Sequence, residues 1–471
     1  MKNNRLLISL LNTIALLILG FPYLAKASNP TTQQAMIIYR NSVGEKQVLT
    51  AAKHVDQNYH HLQTIAGTFN KADIRKLKKS SSIVKVETLK KDTHLFSMPE
   101  KKQGSEVPSA LNWNMSLIHA SNAWTNGLSG KSVKVALIDT GVTSKVNWPN
   151  VYRYSFVQDV RSTLIDESSP YDNDGHGTFI AGILLGNVRN SLLGVAPDMS
   201  LYSLKVFKPD GAPIQAILKA LDWSIAHKID IVNLSLGMKM DDAILRNAIA
   251  KTSKAGIILV AATGNDGNGK NVEYPARYSQ VIAVSSIDKQ SLISPFSNTG
   301  TQIEFAAPGN SVYSTDLQGN RRLGSGTSFA TPHVTGFLAL LKQQYPRATS
   351  SQLRKALRDY TIDLGVKGKD PFYGFGLIDF SHPLPNDVQD IQISNITSSS
   401  AVAVIKAPKS LNSESGNYRI YLNGSYVKTI NADRYKITNL KKKTTYKVQI
   451  KTRGNDGRLS PGVEKTFHTQ S

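Results

Sequence analysis

The chain has 471 residues, 40% of them hydrophobic and 19% charged, which excludes a wholly disordered protein and allows roughly two to four domains. It contains no cysteine, so disulfide bonds, a thiol nucleophile and thiolate metal sites are excluded. Its 56 Lys and Arg residues against 34 Asp and Glu give a formal charge of +22, which fits either attraction to a polyanion or simple solubility.

Residues 1–27 have the features of an export signal. Lys2 and Arg5 precede a mostly apolar segment, and Ala25-Lys26-Ala27 forms a small-x-small cleavage site. An uncleaved membrane anchor is the alternative, but polar residues interrupt the apolar segment and it is short for a membrane span. No later apolar run has spanning length, so we expect a secreted protein whose mature form has no transmembrane segment.

Residues 28–96 are predicted to form a small α+β unit. Apolar runs predict strands at residues 36–39, 64–69 and 83–86. Asn70 is expected to cap a helix that turns Ile74 and Leu77 inward. The polar residues 99–106 then predict an exposed linker, which is a natural place for a proteolytic cut.

From about residue 113 to 382, apolar strands alternate with helices, which predicts an α/β domain with a mostly parallel central sheet. The predicted strands are Val133 to Ile138, Leu201 to Val206, Ile229 to Leu234, Ile257 to Ala262 and Val281 to Ser285. One helix is predicted over residues 214–225, and another from about Asp241 to just before Gly256. Apolar strands of this kind need helices on both faces of the sheet, and chemistry in such sheets gathers at the carboxyl ends of the strands.

Residues 388–471 change to short alternating strands, which predicts an all-β sandwich. The predicted strands are 391–393, 401–405, 418–422, 435–437, 446–450 and 463–467. Leu440 and Tyr446 resemble the tyrosine-corner segment of fibronectin type III domains, although the tryptophan usual in an early strand is absent. The segment carries 14 Lys and Arg against 5 Asp and Glu, so anionic cell-surface polymers are a candidate partner; no specific nucleic acid is expected.

Three residues in the α/β region have complementary chemistry. Asp139 follows an apolar strand, where a carboxylate is costly unless it is hydrogen-bonded. His176 opens an apolar helix, and Ser328 begins another, with Pro332 expected in its first turn. Taken singly, each has a structural alternative: a turn or cap for Asp139, a surface or core position for His176 and a helix cap for Ser328.

The motifs around these residues resemble those of the subtilisin-like serine proteases, or subtilases. Asp139-Thr140-Gly141, His176-Gly177-Thr178 and residues 326–332 match in identity, order and approximate spacing. Further matching segments lie at residues 194–197, 233–237, 262–265, 274–276 and 307–309. The resemblance implies a secreted serine endopeptidase with a propeptide at 28–102 that inhibits the enzyme and assists its folding, a catalytic domain at 103–385 and a fibronectin type III-like sandwich at 386–471.

The resemblance also implies roles for single residues. Ser328 is then the nucleophile, His176 the general base and later acid, and Asp139 the group that orients the imidazole. Asn265 matches the amide of the oxyanion hole, assisted by the N–H of Ser328. The segment Ser235-Leu236-Gly237 matches an edge that pairs with the backbone of an extended polypeptide substrate.

Two departures from the family's pattern concern a second histidine and calcium. Phe179 stands where the family often has a histidine that is not part of the triad. No cofactor is needed for catalysis, and structural calcium stays open. The usual strong calcium site is expected to be missing, because residues 146–148 lack the aspartate and the short loop 186–191 carries Arg189.

The substrate is the least determined part of the interpretation. Glu273, just before Tyr274-Pro275-Ala276, is expected at the floor of the pocket for the residue that precedes the scissile bond (P1), where it would favour a basic residue. Alternatively, its side chain turns outward to solvent. A dedicated processing protease for one partner protein and a catalytically inactive surface-binding protein remain rival functions, although the complete set of catalytic residues disfavours the second.

Overall fold

The computed structural model describes residues 31–88, 95–96, 112–157, 169–408, 417–454 and 457–471. The predicted export signal and the polar linker at 99–106 lie outside these residues. No helix in the described part of the chain is long and apolar enough to cross a bilayer.

The N-terminal unit is a four-stranded antiparallel sheet with two helices on one face. Its elements are β1 (Thr32–Tyr39), α1 (Ser42–Ala51), β2 (Ala52–Tyr59), β3 (Thr64–Asn70), α2 (Lys71–Leu77) and β4 (Ile83–Thr88), with the strand order β2-β3-β1-β4. Asn70 precedes α2 and Ile74 and Leu77 are buried, as predicted. The Asn70 side chain makes no capping bond to the helix backbone and donates to the Asp73 carboxylate instead.

The central unit is an α/β domain, as the sequence predicts. Its elements are β5 (Leu95–Phe96), α3 (Trp113–Leu117), α4 (Ala120–Thr125), β6 (Lys134–Asp139), β7 (Val151–Ser155), α5 (His176–Leu185), β8 (Gly186–Asn187), a 3-10 turn (Val188–Asn190), β9 (Leu192–Leu193), β10 (Ser200–Lys205), β11 (Ala212–Pro213), α6 (Ile214–Ala226), β12 (Ile231–Leu234), α7 (Ala243–Lys254), β13 (Ile258–Ala262), β14 (Val281–Ile287), β15 (Ile303–Pro308), β16 (Val312–Thr315), β17 (Arg321–Gly324), α8 (Thr327–Gln344), α9 (Ser350–Arg358), β18 (Thr361–Ile362) and β19 (Leu377–Ile378).

Nine of these strands form the central sheet, in the order β18-β19-β15-β14-β13-β12-β6-β10-β7. All its strand pairs are parallel except β18 with β19. Alternate residues of β6 face opposite sides: Val135 and Leu137 pack with α5 and α8, while Ala136 and Ile138 pack with α6 and α7. Both faces of the sheet are therefore covered, and the carboxyl ends of β6, β10, β12 and β13 lie along one edge.

The C-terminal unit is a sandwich of two antiparallel sheets. Its strands are β20 (Asp390–Ser394), β21 (Ala401–Lys406), β22 (Tyr418–Leu422), β23 (Ser425–Ile430), β24 (Arg434–Ile437), β25 (Thr445–Thr452) and β26 (Val463–His468), arranged as β20-β21-β24 and β23-β22-β25-β26. The Tyr446 hydroxyl accepts from the Lys441 N–H at 2.8 Å, which is the bond expected of a tyrosine corner.

The sandwich is joined to the α/β domain by polar contacts as well as by the chain. The Arg458 guanidinium donates to the carbonyl oxygens of His382 at 2.7 Å and of Asp359 at 3.4 Å. The Asp387 carboxylate accepts from the Gly462 N–H at 2.7 Å, and burial raises the pKa of this carboxyl to about 6. The Arg458 bonds tie the loop between β25 and β26 to the end of the α/β domain, and the Asp387 bond ties the same loop to the first residues of the sandwich.

Candidate active site

Asp139 and His176 are in direct contact at the carboxyl edge of the sheet. Asp139 is the last residue of β6, and its Oδ1 lies 2.8 Å from His176 Nδ1 and accepts from the Thr140 N–H at 2.7 Å. Both side chains are buried, and Asp139 Oδ2 has no hydrogen-bond partner among the described residues. The bond to Asp139 fixes the orientation of the imidazole, so that Nδ1 faces the carboxylate and Nε2 faces away from it.

The approach of these two residues depends on Gly177. A Cβ at this position would collide with the Gly141 carbonyl oxygen and lie 3.1 Å from Asp139 Oδ1. The Gly177 N–H also donates to the Thr140 hydroxyl at 2.9 Å. The start of α5 can therefore lie directly against the turn after β6 only because residue 177 has no side chain.

Asp172, which the sequence analysis did not single out, holds the turn that leads into His176. Its Oδ1 accepts from the N–H groups of Asp174 at 3.0 Å and Gly175 at 2.9 Å. Its Oδ2 accepts from the Thr178 N–H at 2.9 Å and the Thr178 hydroxyl at 2.6 Å. The carboxylate is buried, so these four donors replace its hydration and fix the backbone on both sides of His176.

Ser328 lies at the start of α8, as predicted, but the position of Pro332 differs from the prediction. Pro332 is the sixth residue of α8 and not part of its first turn. Because proline has no N–H, the carbonyl of Ser328, four residues earlier, lacks its usual helical donor. The Ser235 hydroxyl supplies the missing bond at 2.8 Å.

Ser328 and His176 stand near the starts of α8 and α5, two helices that pack against each other, and no hydrogen bond joins their side chains. The Ser328 hydroxyl donates to the Ser235 carbonyl at 3.4 Å, a long bond. The His176 ring lies 5.6 Å from the ring of Phe329, the residue after Ser328. Catalytic hydrogen bonds are often long or poorly aligned before substrate binds, so the missing bond is compatible with a catalytic role for Ser328.

Asn265 is fixed next to the start of α8 by Thr327. Asn265 follows β13, and its Oδ1 accepts from the Thr327 N–H at 2.9 Å and the Thr327 hydroxyl at 2.8 Å. With the amide oxygen engaged twice, the NH2 group points away from Thr327, and Nδ2 lies 3.3 Å from the Cβ position of Gly326. The side chain therefore presents a donor at the turn that carries Ser328.

The remaining predicted substrate-binding residues lie beside this turn. Ser235, Leu236 and Gly237 follow β12 directly, and Ser235 contacts Ser328 through the two bonds given above. Glu273 is only 9% exposed, so the alternative that it turns outward to solvent is wrong.

The loop predicted to lack a strong calcium site is held by hydrogen bonds between protein groups. The Gly319 carbonyl accepts from Asn187 Nδ2 at 3.1 Å and Asn190 Nδ2 at 2.9 Å. The Asn190 carbonyl accepts from Arg321 Nε at 2.7 Å. The Gly319 and Asn190 carbonyl oxygens are thus taken by N–H donors, one of them a guanidinium, while the buried Asn190 Oδ1 has no hydrogen-bond partner among the described residues.

A parallel sheet covered on both faces, a buried aspartate paired with a histidine, and a serine at a helix start define a serine hydrolase of α/β type. Comparison with known families agrees with this class. Residues 130–376 match the Subtilase family and residues 386–466 match the fibronectin type III domain.

Three relatives show how far the similarity extends. The chain is 39% identical over 363 residues to the minor extracellular protease Epr of Bacillus subtilis, covering 76% of this chain and 55% of that protein. It is 33% identical over 376 residues to a thermostable alkaline protease of Halalkalibacterium halodurans, covering 79% of this chain and 96% of that protein. It is 31% identical over 400 residues to subtilisin E of Bacillus subtilis, covering 80% of this chain and 98% of that protein.

The chain belongs to the Subtilase family of serine endopeptidases, and its C-terminal part is a fibronectin type III domain. The resemblance drawn from the sequence motifs and the predicted fold class are therefore confirmed. The chain spans only about half of Epr, the first of these relatives.

Proposed function

We propose that the protein is a secreted serine endopeptidase that cleaves polypeptides through an acyl-enzyme. The observation that carries the proposal is the buried pair of His176 Nδ1 and Asp139 Oδ1, 2.8 Å apart, with the His176 ring 5.6 Å from the ring of Phe329, the residue after Ser328. Ser328 attacks the peptide carbonyl as His176 takes its proton, and Asp139 holds the imidazole and stabilises its charged form. Asn265 and the Ser328 N–H stabilise the oxyanion.

Extended substrates are expected to pair with the segment Ser235-Leu236-Gly237. This segment continues β12 beyond the sheet and lies against the nucleophile turn through the Ser235 hydroxyl. Backbone pairing of this kind binds many sequences, with side-chain pockets adding preference. The proposal covers a general protease and equally a processing protease for one partner protein.

The N-terminal unit is proposed to be the propeptide. The helix-free face of its sheet joins the apolar cluster on α6 and α7 through Met36, Ile38, Tyr59, Leu62 and Ala66.

The chain around Leu62 is also held by polar contacts. The Asp222 carboxylate accepts from the N–H groups of His61 at 2.8 Å and Leu62 at 3.2 Å, and Asn247 Nδ2 donates to the Leu62 carbonyl at 2.8 Å. A unit docked on two helices of the catalytic domain in this way can both assist their folding and remain as an inhibitor.

An inhibitory role is proposed because the segment after this unit adds a short strand to the catalytic domain, as an extended peptide would. Strand β5 pairs antiparallel with β11, Phe96 opposite Ala212 and Leu95 opposite Pro213. Strand β11 follows β10, whose last residue Lys205 lies opposite Asp139 in the sheet. Two cleavage positions stay as hypotheses, one near residues 95–97 and one after Lys101 or Lys102, and N-terminal sequencing of the mature enzyme decides between them.

Two further roles complete the proposal. The basic sandwich is proposed to retain the enzyme on anionic surfaces, because the exposed residues Lys441, Lys442 and Lys443 stand together in one loop. Catalysis is proposed to need no cofactor, and the fold to be stable without calcium in the loop 186–191. Secretion is supported by the similarity to the extracellular protease Epr and by the export signal in the sequence.

The direct test is hydrolysis of casein by the wild type and by Ser328→Ala. We expect activity in the wild type and none above background in the variant. Ser325→Ala is the matched control, because Ser325 is also a buried serine whose hydroxyl is hydrogen-bonded, in its case to Asn310 at 3.0 Å. Equal activity of Ser328→Ala and wild type would contradict the proposal.

A further inference from the structure

Glu273 connects the two segments that flank the nucleophile. Its N–H donates to the carbonyl of Thr263, just after β13, at 3.0 Å. The next residue, Tyr274, exchanges two backbone hydrogen bonds with Met238, at 2.8 and 2.9 Å. Glu273 is thereby fixed between the chain that continues β12 and the chain that continues β13.

The Glu273 carboxyl group lies in a slot between Gly237 and Gly264, which the Asn298 amide also borders. A Cβ on Gly237 would overlap Glu273 Oε2, and a Cβ on Gly264 would lie 3.0 Å from Glu273 Cδ. Both neighbours are glycines, so no side chain of theirs fills the space around the carboxyl group.

The slot adjoins the proposed catalytic groups on two sides. Gly237 is two residues from Ser235, which contacts Ser328 through two hydrogen bonds. Gly264 directly precedes Asn265, which is held by Thr327. A substrate side chain next to the carbonyl under attack would therefore enter between these two segments.

In the part of the chain that the structure describes, no cation pairs with Glu273. Lys239, the charged group that acts on it most favourably, pairs with Asp266 at 3.2 Å and is 73% exposed. The Arg277 guanidinium lies over the Tyr274 ring, 5.6 Å from its centre. Among the described residues, no hydrogen bond or ion pair reaches the Glu273 carboxylate.

Without a partner, the ionised Glu273 carboxylate has a high free energy, which a cationic ligand would lower. Burial, with a smaller contribution from Asp266, raises the pKa of Glu273 to about 7. A buried carboxylate without a partner is destabilised in its charged form, and a guanidinium or ammonium group in the slot would compensate it with a charge-assisted hydrogen bond.

We propose that Glu273 makes the enzyme prefer Lys or Arg as the substrate residue immediately before the scissile bond. The preference rests on the proposed function, because it assigns the side chain that occupies a pocket of the same active site. It narrows the substrates from polypeptides in general to those cut after basic residues.

The preference should grow with pH. Glu273 attracts a cation only when ionised, and Asp266 and Lys239 are the charged groups that act on it. Because its pKa is raised to about 7, the ratio of kcat/KM for an Arg peptide to that for a Leu peptide should rise between pH 6 and pH 8.

The test compares four peptide p-nitroanilides that differ only in Arg, Lys, Leu or Phe before the scissile bond. The wild type should prefer Arg and Lys, and Glu273→Gln should lower the Arg-to-Leu ratio by roughly 10- to 100-fold, the range for a lost charge-assisted hydrogen bond. Asp266→Asn is the matched control: it removes a more exposed carboxylate beside the slot and should change the ratio by less than about 3-fold. A wild-type preference for Leu or Phe that Glu273→Gln leaves unchanged would overturn the proposal while leaving the protease function intact.

A binding measurement tests the role of Glu273 separately from the protease function. Benzamidine, a small cation, should raise the Tm of the mature wild type but not that of Glu273→Gln, and neutral benzamide should raise neither. Binding of benzamidine without hydrolysis of any peptide would contradict the protease function alone. Equal shifts with benzamidine and benzamide in the wild type would contradict the role of Glu273.

Discussion

The hydroxyl of Ser235 donates to the backbone carbonyl of Ser328 at 2.8 Å. The carbonyl is free for this bond because Pro332, four residues later in α8, has no N–H. Ser235 is itself held by Asn233 Nδ2 at 2.9 Å, and both side chains are buried. The segment proposed to bind substrate and the turn that carries Ser328 are thus fixed to each other by one side chain.

Ser235→Ala should therefore destabilise the protein. The substitution leaves the Ser328 carbonyl and the Asn233 amide without their buried partner, which costs about 1–3 kcal/mol. Urea unfolding of the Ser328→Ala form, which avoids self-digestion, measures the loss. Ser116→Ala is the control, because the exposed Ser116 hydroxyl makes only a 3.4 Å bond to a backbone carbonyl, and its loss should change the free energy of unfolding by less than about 0.5 kcal/mol.

Asp172 is expected to act as a positioning residue for His176. Asp172→Asn replaces two acceptor oxygens by one, so some of the N–H and O–H donors around the turn lose their partner. We expect kcat to fall by about 10-fold with little change in KM, since the imidazole is misplaced while substrate contacts remain.

The matched control is Asp288→Asn. Asp288 also accepts two backbone N–H groups in a turn, from Gln290 at 2.9 Å and Leu292 at 3.0 Å, but it is only half-buried. Its substitution should leave kcat unchanged. An equal loss of kcat in both variants would show that the effect of Asp172 is not specific to His176.

The sequence predicted the fold where apolar runs are continuous. Strands β6, β10, β12, β13 and β14 lie within two residues of their predicted bounds. Strand β15 was missed because it contains Glu304 and ends in Pro308, and only the structure shows Arg354 pairing with that carboxylate. Helix α1 was missed because Val48 is its one large apolar residue that is fully buried.

In the candidate site, too, the sequence indicated some residues and missed others. Asp139, His176 and Ser328 were found because each stands in a motif at the end of a strand or the start of a helix. Asp172 and Thr327 were missed because they bind backbone N–H groups and an amide oxygen, and such contacts depend on turn geometry. The Asp172-x-Asp174-Gly175 pattern is typical of an Asp-capped turn and was the available signal.

Calcium is expected to have no effect on stability. The loop 186–191 is held by Asn187, Asn190 and Arg321, so adding calcium or a chelator should leave the Tm unchanged. A bound ion would instead raise the Tm with its concentration. A calcium-dependent rise in the Tm of the Ser328→Ala form would contradict this prediction.

Asn190→Ala tests whether hydrogen bonds within the protein hold the loop 186–191. It removes the bond to Gly319 and should cost about 1 kcal/mol in the free energy of unfolding. Asn147→Ala is the control, because Asn147 is exposed and lies in the neighbouring stretch 146–148. Equal stability of the two variants would mean that the Asn190 bond does not hold the loop.

The basic loop of the sandwich should govern retention on anionic matrices. Replacing Lys441, Lys442 and Lys443 by Gln should lower the salt concentration at which the enzyme elutes, because clustered exposed charges are screened by salt. Hydrolysis of a short peptide should be unaffected.

The control for this loop removes the same charge from separate sites. Lys228, Lys254 and Lys289 are exposed and belong to the catalytic domain, so their replacement by Gln should shift elution less. Equal shifts would show that net charge, and not the loop, determines retention. A variant that ends at Pro385 should also elute earlier and keep its turnover on the short peptide.

The central claim is that Ser328 is a nucleophile activated by His176 and Asp139. A fluorophosphonate reacts only with an activated serine, so mass spectrometry of the digested enzyme should find one adduct, on the peptide that contains Ser328. His176→Ala should slow the labelling by at least about 100-fold, because the base contributes a factor of that order. An adduct on another serine, or labelling of the His176→Ala variant at the wild-type rate, would contradict the account.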